Sequence, residues 1–518
     1  MESRWRMPAI FNPTRFGLAL ALIAAALLRF WALPQGVPFS VQVDEPEVLV
    51  RAVRMMKTND FNPHFFDYPT LYMYMQAGVA LVRFLVGAMQ GQWAALSQAP
   101  HEAFYVWGRA LTAAMGTATI WVVYRAGMRL GQRKALLAAG MFAVMPLHVR
   151  ESHFVLTDVP MTFFVMLTLV MSLRARERAT VWAFAWAGAA AGLAAGTKYN
   201  GVLALMLPIL ACLMTPAVRP SRLVALFWIV TTMVVTFLVV APYTVLDLPT
   251  FLNQFARLTG EYRAPSTIGE PVWLIYLKHL RNALRWPGSL IVIAGLLLGI
   301  YRTIAGPDRG LWLLLTLFPI VYFRFISNQS IFYGRYLLPL LPFLSILGAA
   351  AVVMIVDQVR ATGAPKVVRN AVTIALALIT IAPPAYTSIT FNANAAKVWT
   401  TELAYKWITR ELPAGTTITF ESRQVLLPLT YKATYLPQLR MHPLEHYVKN
   451  GVQYVVASSA INGPYFDVQN NGPARYPEEY EGYMSIFRRS QEVARFSPSS
   501  DHPGPELRIF RIAARTEQ

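Results

Sequence analysis

Cysteine is nearly absent from this chain of 518 residues, which contains only Cys212. A single thiol excludes an intrachain disulfide and a thiolate metal cluster. Charged residues are also scarce, at 14% of the chain, whereas a soluble protein of ordinary composition has about 25%. The motifs GxxxxGK[ST], GxGxxG and HExxH are absent too, as are short repeats and low-complexity tracts. These absences disfavour nucleotide-driven and zinc-protease chemistry.

Apolar sequence is what the chain has in abundance: 55% of its residues are hydrophobic and its mean hydropathy is +0.41. Several windows exceed the roughly 18 apolar residues that cross a bilayer core. We therefore predict a polytopic α-helical membrane protein with about eleven spans. The predicted spans are 16–33, 103–126, 135–150, 157–173, 181–197, 200–215, 223–241, 287–304, 310–327, 336–356 and 370–389.

The first span has two interpretations. The run FGLALALIAAALLRFWALP follows several arginines and therefore resembles a signal peptide. It is long, however, and no small-residue cleavage site follows it at the expected place. We therefore predict that this span is retained.

The net charge of +19 is distributed unevenly. Residues 1–390 contain 32 Lys and Arg against 15 Asp and Glu, whereas the rest of the chain contains 14 against 12. The positive excess therefore lies among the spans, where basic residues set topology and contact lipid headgroups. This distribution favours membrane lipid over nucleic acid as the partner of the basic residues.

The basic loops predict one topology. Six loops with a positive excess fall on the cytoplasmic side, and together they contain 17 Lys and Arg against 4 Asp and Glu. These loops are 1–15, 125–134, 174–180, 216–222, 302–309 and 357–369. This arrangement requires the aromatic run 69–90 to lie flat at the interface, because counting it as a span would move the basic loop 125–134 outside. Asp44, Asp67 and Asp158 then share the outer face.

The chain changes character near residue 390. The stretch WTTELAYKWITRELPAGTTITFES is typical of an amphipathic helix, a turn and a strand, and GVQYVVASS and PELRIFRIAA are typical of further strands. We predict a transmembrane domain at 1–390, whose outer loop 34–102 carries interfacial helices. A small soluble α/β domain at 391–518 follows it outside the membrane.

Three carboxylates follow the first span, in the sequence VQVDEPEVLV at 41–50. In one interpretation Asp44 is the N-cap of a helix, with Pro46 in its first turn and Glu47 at the third position of a capping box. In the other, one of the acids, which include Glu45, does chemistry at the membrane surface. The two interpretations are compatible, because a cap needs only one carboxylate.

Two further acidic sites lie on the predicted outer face. In NPHFFDYPTLYMY (62–74), His64 and Asp67 are either turn residues or ligands of a substrate or a divalent metal, although two ligands are few for a metal site. In HVRESHFVLTDVPMTFF (148–164), Asp158 is either a helix cap or a functional residue. An ionisable group at the mouth of a span is costly and is therefore a functional candidate.

Basic residues occur on the same predicted face, where topology disfavours them: Arg109, Lys198, Arg324 and Arg335. Isolated cations at span ends often snorkel to headgroups. Lys198 is different, because it stands in a very short turn with no acid beside it in sequence. Lysine and arginine are the usual binders of a phosphate group. Acids and cations together predict group transfer from a lipid phosphate, in which a carboxylate accepts a proton and cations stabilise the leaving phosphate.

The same stretches resemble membrane glycosyltransferases of the GT-C superfamily. They are most similar to bacterial family 39 proteins related to protein O-mannosyltransferases and the lipid A aminoarabinose transferase. The resemblance covers most of the chain and depends on the order and spacing of six stretches. These are VDEPEVLVRA, NPHFFDYPTLYMY, WGRALTAAMG, RESHFVLTDVPMTFF, GLAAGTKYNG and FYGRYLLPLLPFL.

The resemblance implies an inverting transferase that uses a polyprenyl-phosphate-linked sugar. It implies Asp44 as general base, Glu45 as its substrate-positioning neighbour and Asp158 as the second acidic site. The substrate-binding candidates in these stretches are His64, Asp67, Tyr68, Arg109, His153, Lys198, Tyr199, Arg335 and Tyr336. The tail resembles the small α/β tails of bacterial members and lacks the MIR-type repeats of the eukaryotic mannosyltransferases.

We therefore predict a glycosyltransferase in the bacterial inner membrane, with its active site and tail outside the cytoplasm. Its expected partners are a polyprenyl-phosphate-linked donor, a lipid, glycan or protein acceptor, and membrane lipids. No cofactor is required in this interpretation, and a divalent metal at His64 and Asp67 is an alternative. Two other functions remain open: a flippase of lipid-linked saccharides, which would typically show an internal repeat, and a non-catalytic assembly protein that binds through its tail.

Overall fold

The computed structural model of this chain describes residues 13–263, 270–421, 425–428 and 430–512. Most of the predicted basic stretch 1–15 lies outside the described residues. The chain divides into two compact units. The first unit comprises Met1–Leu33, Val48–Ala99 and Trp107–Asn392, and the second comprises Pro34–Glu47, Pro100–Val106 and Ala393–Gln518.

Sixteen helices precede the tail within the described residues. They are α1 (Pro13–Phe30), α2 (Glu45–Thr58), α3 (Leu71–Met89), α4 (Tyr105–Gly127), α5 (Gln132–Ala143), α6 (Pro146–Glu151), α7 (Asp158–Arg178), α8 (Val181–Thr197), α9 (Met206–Leu213), α10 (Arg222–Val240), α11 (Tyr243–Leu246), α12 (Leu248–Arg263), α13 (Val272–Ala305), α14 (Arg309–Ile326), α15 (Leu341–Ala361) and α16 (Lys366–Ala395). Two 3₁₀ helices, Tyr199–Leu205 and Gly334–Leu340, precede α9 and α15.

Seven helices of the described residues are long and apolar enough to cross a membrane. The predicted class of polytopic helical protein is therefore confirmed. One of the seven is α3, which covers most of the run 69–90, so the flat placement of that run stays a prediction. Other runs are divided: the predicted span 135–150 ends as α5 at Ala143, and the short α6 begins at Pro146.

Close packing of α8 against α10 depends on three glycines spaced four residues apart. A Cβ atom on Gly188 would lie 2.3 Å from the carbonyl oxygen of Ile229, and one on Gly192 would lie 2.6 Å from that of Met233. A Cβ on Gly196 would likewise meet Val240 at 2.4 Å. Small residues at this spacing let two helix backbones approach each other, which is the common way in which membrane helices associate.

Ion pairs connect several predicted cytoplasmic loops at one end of the first unit. Arg129 pairs with Glu177, and Arg176 donates to Asp308 at 2.8 Å. These pairs join the loops 125–134, 174–180 and 302–309. Arg133 bonds Asp357 at 3.0 Å in the loop 357–369, and the loop 216–222 pairs with 174–180 through backbone bonds between Ala179 or Val181 and Arg219. Five predicted loops therefore share one end of the unit.

Two features of the helices were not predicted from the sequence. The first is α12, an amphipathic helix in a stretch too polar to be counted as a span. The second is a break in α13, where Arg285 has a φ of 59° and a ψ of 168°. Pro287 follows two residues later and cannot donate a helical hydrogen bond. The predicted span 287–304 is therefore the second half of a longer, interrupted helix.

The tail of the second unit contains a five-stranded sheet and five helices within the described residues. The helices are α17 (Thr400–Glu411), α18 (Leu444–Lys449), α19 (Ser459–Phe466), α20 (Gly472–Arg475) and α21 (Pro477–Phe487). The strands are β1 (Thr417–Glu421), β2 (Lys432–Leu436), β3 (Tyr454–Ser458), β4 (Gln491–Phe496) and β5 (Leu507–Arg511). Their order is β2-β1-β3-β5-β4, with β2, β1 and β3 parallel. The predicted α/β tail is confirmed, although β2 and β4 were not anticipated.

A buried carboxylate connects the carboxyl ends of these strands. Glu421 accepts hydrogen bonds from the backbone N–H groups of Leu439 and Ser458, from the amide of Asn462 and from the hydroxyl of Tyr483. Burial raises the pKa of Glu421, and the hydrogen bonds oppose that rise. Four donors meeting one acid hold the loops at this edge of the sheet in a fixed arrangement.

The glycine stripe of α8 predicts a matched pair of substitutions. We expect Gly192→Ala to destabilise the protein by about 1–3 kcal/mol, because its Cβ overpacks the contact with α10. Gly78→Ala in α3 is the control, since a Cβ there meets nothing within 4 Å, and it should stabilise slightly. Thermal unfolding of the detergent-purified variants measures both. Equal midpoints for the two variants would contradict this account of the packing.

Candidate active site

Three buried ionic side chains meet in the first unit: Asp158, Lys198 and Arg335. We call them the charged cluster. The Nζ atom of Lys198 lies 2.7 Å from Asp158 Oδ1, and Arg335 Nε lies 3.5 Å from Asp158 Oδ2. All three side chains are almost fully buried, with at most 9% of each residue exposed. The cluster thus unites residues that the sequence places 40 and more positions apart.

Local structure explains how each member reaches the cluster. Asp158 is the first residue of α7, and a negative charge is favoured at a helix N-terminus. Lys198 is extended, between the end of α8 and the following 3₁₀ helix. Arg335 belongs to the 3₁₀ helix Gly334–Leu340 that leads into α15. The three charged residues therefore come from three separate segments at or near helix ends, and not from one continuous element.

The charged cluster lies far from the linked basic loops. Asp158 begins α7, and Arg176, which bonds Asp308 at the other end, lies 18 residues further along the same helix. At 1.5 Å per residue, that distance is about 27 Å, close to the thickness of a bilayer core. The cluster and the five linked loops therefore lie at opposite ends of one membrane-length helix.

Tyrosine rings surround the two cations. Lys198 Nζ lies 4.2 Å from the ring centre of Tyr336 and 6.0 Å from that of Tyr68. The guanidinium of Arg335 lies 4.2 Å from the ring of Tyr333. Such cation–π contacts hold a cation without neutralising it. The structure thus places the predicted residues Tyr68 and Tyr336 beside the cluster.

Tyr262 is a neighbour of the cluster that sequence reasoning missed. Its hydroxyl lies 2.5 Å from that of Tyr336. Burial raises the pKa of Tyr262, and the charge of Asp158 adds to the rise. Tyr262 lies near the end of α12, whose apolar residues Leu248, Phe251, Leu252 and Phe255 recur at helical spacing. That spacing was the available signal for this helix.

Asp67, His64 and Tyr199 contact other partners. Asp67 accepts from Arg257 at 2.5 Å, and His64 Nε2 lies 2.9 Å from Asp60 Oδ2. The hydroxyl of Tyr199 donates to the carbonyl of Phe66 at 2.9 Å. Among the described residues, no group of three or more His, Cys, Asp or Glu side chains is arranged to hold a metal ion. His64 and Asp67, the predicted metal alternative, therefore lie against different partners.

Arg109 and His153 are buried and bonded to backbone carbonyls. Arg109 Nη1 donates to the carbonyl of Leu33 at 2.8 Å. The two ring nitrogens of His153 lie 2.8 Å from the carbonyl oxygens of Val149 and Trp31. Burial lowers the pKa of His153, although these carbonyls favour its protonation. These contacts fix the chain near the end of α1, and a substrate role for either residue stays a prediction.

The predicted catalytic loop has a well-defined local structure in the second unit. Asp44 is half-buried and directly precedes α2. The Glu45 carboxylate is buried and accepts from the Gln42 N–H at 2.9 Å, while the Gln42 side chain accepts from the Asp44 N–H at 2.7 Å. These two hydrogen bonds close a turn just before α2. The capping roles predicted for Asp44 and Glu47 stay predictions.

Comparison with known proteins bears on these expectations. Residues 20–256 match the family model "Dolichyl-phosphate-mannose-protein mannosyltransferase". ArnT from Cupriavidus metallidurans, solved with bound undecaprenyl phosphate, aligns over 97% of this chain and 99% of its own, with a TM-score of 0.58 and 15% identity. The oligosaccharyltransferase AglB from Archaeoglobus fulgidus, solved with an inhibitory peptide and a dolichol-phosphate, aligns over 95% and 74%, with a TM-score of 0.57 and 14% identity. No curated protein matches by sequence.

The fold is that of a GT-C glycosyltransferase. The structural alignments include the α/β tail, since they cover nearly the whole chain. The predicted GT-C fold is confirmed by these alignments. The match to the family model includes Asp44, Asp158 and Lys198, and it ends before Arg335.

The charged cluster predicts a specific pattern of stability. We expect Asp158→Asn to lower the unfolding midpoint strongly, by a loss on the order of 3–5 kcal/mol, because two buried cations lose their shared carboxylate. Adding Lys198→Met should recover part of the loss, since one of those cations is then absent. Thermal unfolding in detergent measures both variants.

Asp60→Asn is the control for this experiment, because it breaks a more exposed pair with Arg54 at 3.0 Å and should shift the midpoint only slightly. An Asp158→Asn variant as stable as the Asp60→Asn variant would contradict a structural role for the cluster.

Proposed function

We propose that this protein transfers a sugar from a polyprenyl-phosphate donor to a hydroxyl acceptor, and that the charged cluster receives the phosphate of the donor. The observation that carries the proposal is the pairing of Lys198 and Arg335 with the single buried carboxylate of Asp158. Lysine and arginine are the side chains that bind phosphate best. They work most strongly where water is excluded, as it is around these buried groups.

In this mechanism the acceptor oxygen attacks the anomeric carbon of the sugar from the face opposite the phosphate. The bond between that carbon and the phosphate oxygen breaks, and its electron pair leaves with the polyprenyl phosphate. Lys198 and Arg335 stabilise the added negative charge. Asp158 keeps both cations in place before the donor arrives, so little reorganisation is needed during the reaction.

The proton of the acceptor hydroxyl goes to Asp44 in this proposal. That role follows from the family resemblance and from the match of the family model over residues 20–256. Asp44 is half-buried, and the contact between Gln42 and Glu45 fixes the backbone on both sides of it. A general base of this kind typically contributes a factor of about 10²–10⁴ in rate.

An apolar cavity supports a lipid-linked donor. Its volume is about 550 Å³, and it is lined by α13, by α14 and by Leu340 and Leu344. Leu340 belongs to the same 3₁₀ helix as Arg335, so one short element contributes to both the cavity wall and the charged cluster. We propose that an isoprenoid chain occupies this cavity. The lipid phosphates bound to ArnT and AglB support the same donor class.

We further propose that the reaction takes place outside the cytoplasm, in a bacterial inner membrane. The support is the charge of the linked loops: they carry most of the basic excess, and positive loops remain in the cytoplasm. The transmembrane catalytic domain then comprises 1–390, and the α/β domain 391–518 lies outside. The acceptor is a hydroxyl on a lipid, a glycan or a protein.

The proposal predicts two different kinetic defects in one assay. Purified protein in detergent is given a radiolabelled polyprenyl-phosphate sugar, and transfer is measured against donor concentration. We expect Lys198→Met to raise the donor KM about 10- to 100-fold, since a charge-assisted hydrogen bond contributes about 1.5–3 kcal/mol, and also to lower kcat, because the leaving phosphate gains negative charge in the transition state. We expect Asp44→Asn to lower kcat about 10²- to 10⁴-fold with an unchanged donor KM.

Matched controls accompany both variants in this assay. Lys366→Met makes the same exchange at an exposed lysine at the start of α16, and Glu47→Gln neutralises another carboxylate of the same loop. Both should transfer like the wild type. Normal donor affinity in Lys198→Met would remove the cluster as the phosphate site, and normal turnover in Asp44→Asn would remove Asp44 as the base.

Sidedness has its own test, in a background where the single cysteine is replaced (Cys212→Ala). We expect a cysteine introduced by Gln90→Cys to react with a membrane-impermeant maleimide in intact cells, and one introduced by Gln132→Cys to react only after the membrane is opened. Both glutamines are exposed. The reverse pattern would place the charged cluster on the cytoplasmic side and contradict the proposed topology.

A further inference from the structure

A turn between α1 and Asp44 packs against the tail within the second unit. We call residues 36–40 the docking turn. Phe39 contacts Tyr405 of α17, with ring centres 4.9 Å apart, and the carbonyl of Phe39 accepts from the Leu426 N–H at 2.8 Å. The hydroxyl of Ser40 lies 3.2 Å from that of Thr401, also in α17. Three separate contacts therefore attach the docking turn to the tail.

The sequence of the docking turn suits this attachment. Gly36 has a φ of 76°, a backbone conformation that residues other than glycine rarely adopt. The Ser40 N–H donates to the carbonyl of Gly36 at 2.6 Å, and a Cβ on Gly36 would lie 2.6 Å from the Ser40 hydroxyl. The turn is thus closed on itself, so that Phe39 and Ser40 are presented together.

Only three residues separate the docking turn from Asp44. Val41 is buried, and Gln42 is bonded to both Asp44 and Glu45. Because this short connection is itself hydrogen-bonded, a displacement of Ser40 moves Asp44 with it. The position of the proposed base is therefore tied to the position of α17.

The other end of the outer loop meets the same helix. Residues 100–106 also belong to the second unit, and the charge of Glu102 acts on Tyr405. Burial is the larger cause that raises the pKa of Tyr405, and the neighbouring Glu102 adds to it. Both the docking turn and the segment that leads into α4 therefore belong to the unit that contains Tyr405.

We infer that the tail is a positioning element of the transferase: Tyr405 and Thr401 of α17 hold the docking turn and thereby set the place of Asp44. This inference depends on the proposed role of Asp44 as general base, and it assigns to the tail a part in the reaction. It concerns positioning alone, because these residues act through the loop and do not contact the reacting atoms.

Kinetics of Tyr405 variants test the positioning role. We expect Tyr405→Ala to lower kcat on the order of 10- to 100-fold, the scale of a displacement near 1 Å, with the donor KM within about twofold of the wild type. Tyr405→Phe should restore turnover, since it keeps the ring against Phe39. Tyr454→Ala is the control: Tyr454 of β3 is another half-buried tyrosine packed on the same core of the tail, and its variant should transfer normally.

A disulfide across the docking contact provides the decisive comparison. Ser40→Cys and Thr401→Cys are combined with Tyr405→Ala in the Cys212→Ala background. Oxidation should form the cross-link, because the native hydroxyls are 3.2 Å apart, and should raise kcat toward the wild type. Reduction should remove the gain. A purely structural role of Tyr405 would give no recovery on oxidation.

The outcomes separate this inference from the proposed function. Full turnover in Tyr405→Ala, failure of the cross-link to form, or loss of activity on oxidation would each overturn the positioning role, whatever the behaviour of Asp44→Asn. Full turnover in Asp44→Asn would instead overturn the proposed base, while the cross-link would still form.

Discussion

The pairing of two buried cations with the carboxylate of Asp158 is the interaction on which the proposed chemistry of the first unit depends. Taking such charges out of water costs several kcal/mol per ion, and their mutual attraction repays this only when the geometry is good. Stability alone therefore gives a poor reason to keep Asp158, Lys198 and Arg335 together. Phosphate binding explains the arrangement better than stability does, because the carboxylate orients both cations before the phosphate binds.

The packing and the ends of the helices bring the three charged side chains together. The glycines of α8 bring its backbone against α10, and Lys198 stands where α8 ends. The first turn of α7 supplies Asp158, and the 3₁₀ helix before α15 supplies Arg335. In the second unit, a proposed functional residue is positioned by contacts with the tail. Phe39 and Ser40 contact the tail and hold the loop that precedes Asp44.

The grouping of the cluster residues could be predicted from the sequence, because the distribution of basic residues among the loops indicates the membrane topology. Alternation of basic loops assigned Asp158, Lys198 and Arg335 to one face, and the first unit pairs them directly. Tyr262 was missed because the stretch that became α12 is too polar to resemble a span. A hydrogen bond between a side chain and a carbonyl that is distant in the chain, such as that of Arg109 with Leu33, cannot be predicted from the spacing of residues in the sequence. The docking of Phe39 on Tyr405 was equally invisible, since 366 positions separate the two rings.

The proposed binding of a lipid-linked donor by the charged cluster is tested most directly by an experimental structure of the protein in a lipid nanodisc with undecaprenyl phosphate. We expect phosphate oxygens at hydrogen-bond distance, about 2.7–3.2 Å, from Lys198 Nζ and the Arg335 guanidinium. A phosphate ordered instead against Lys278 and Arg281, which line the apolar cavity, would contradict it.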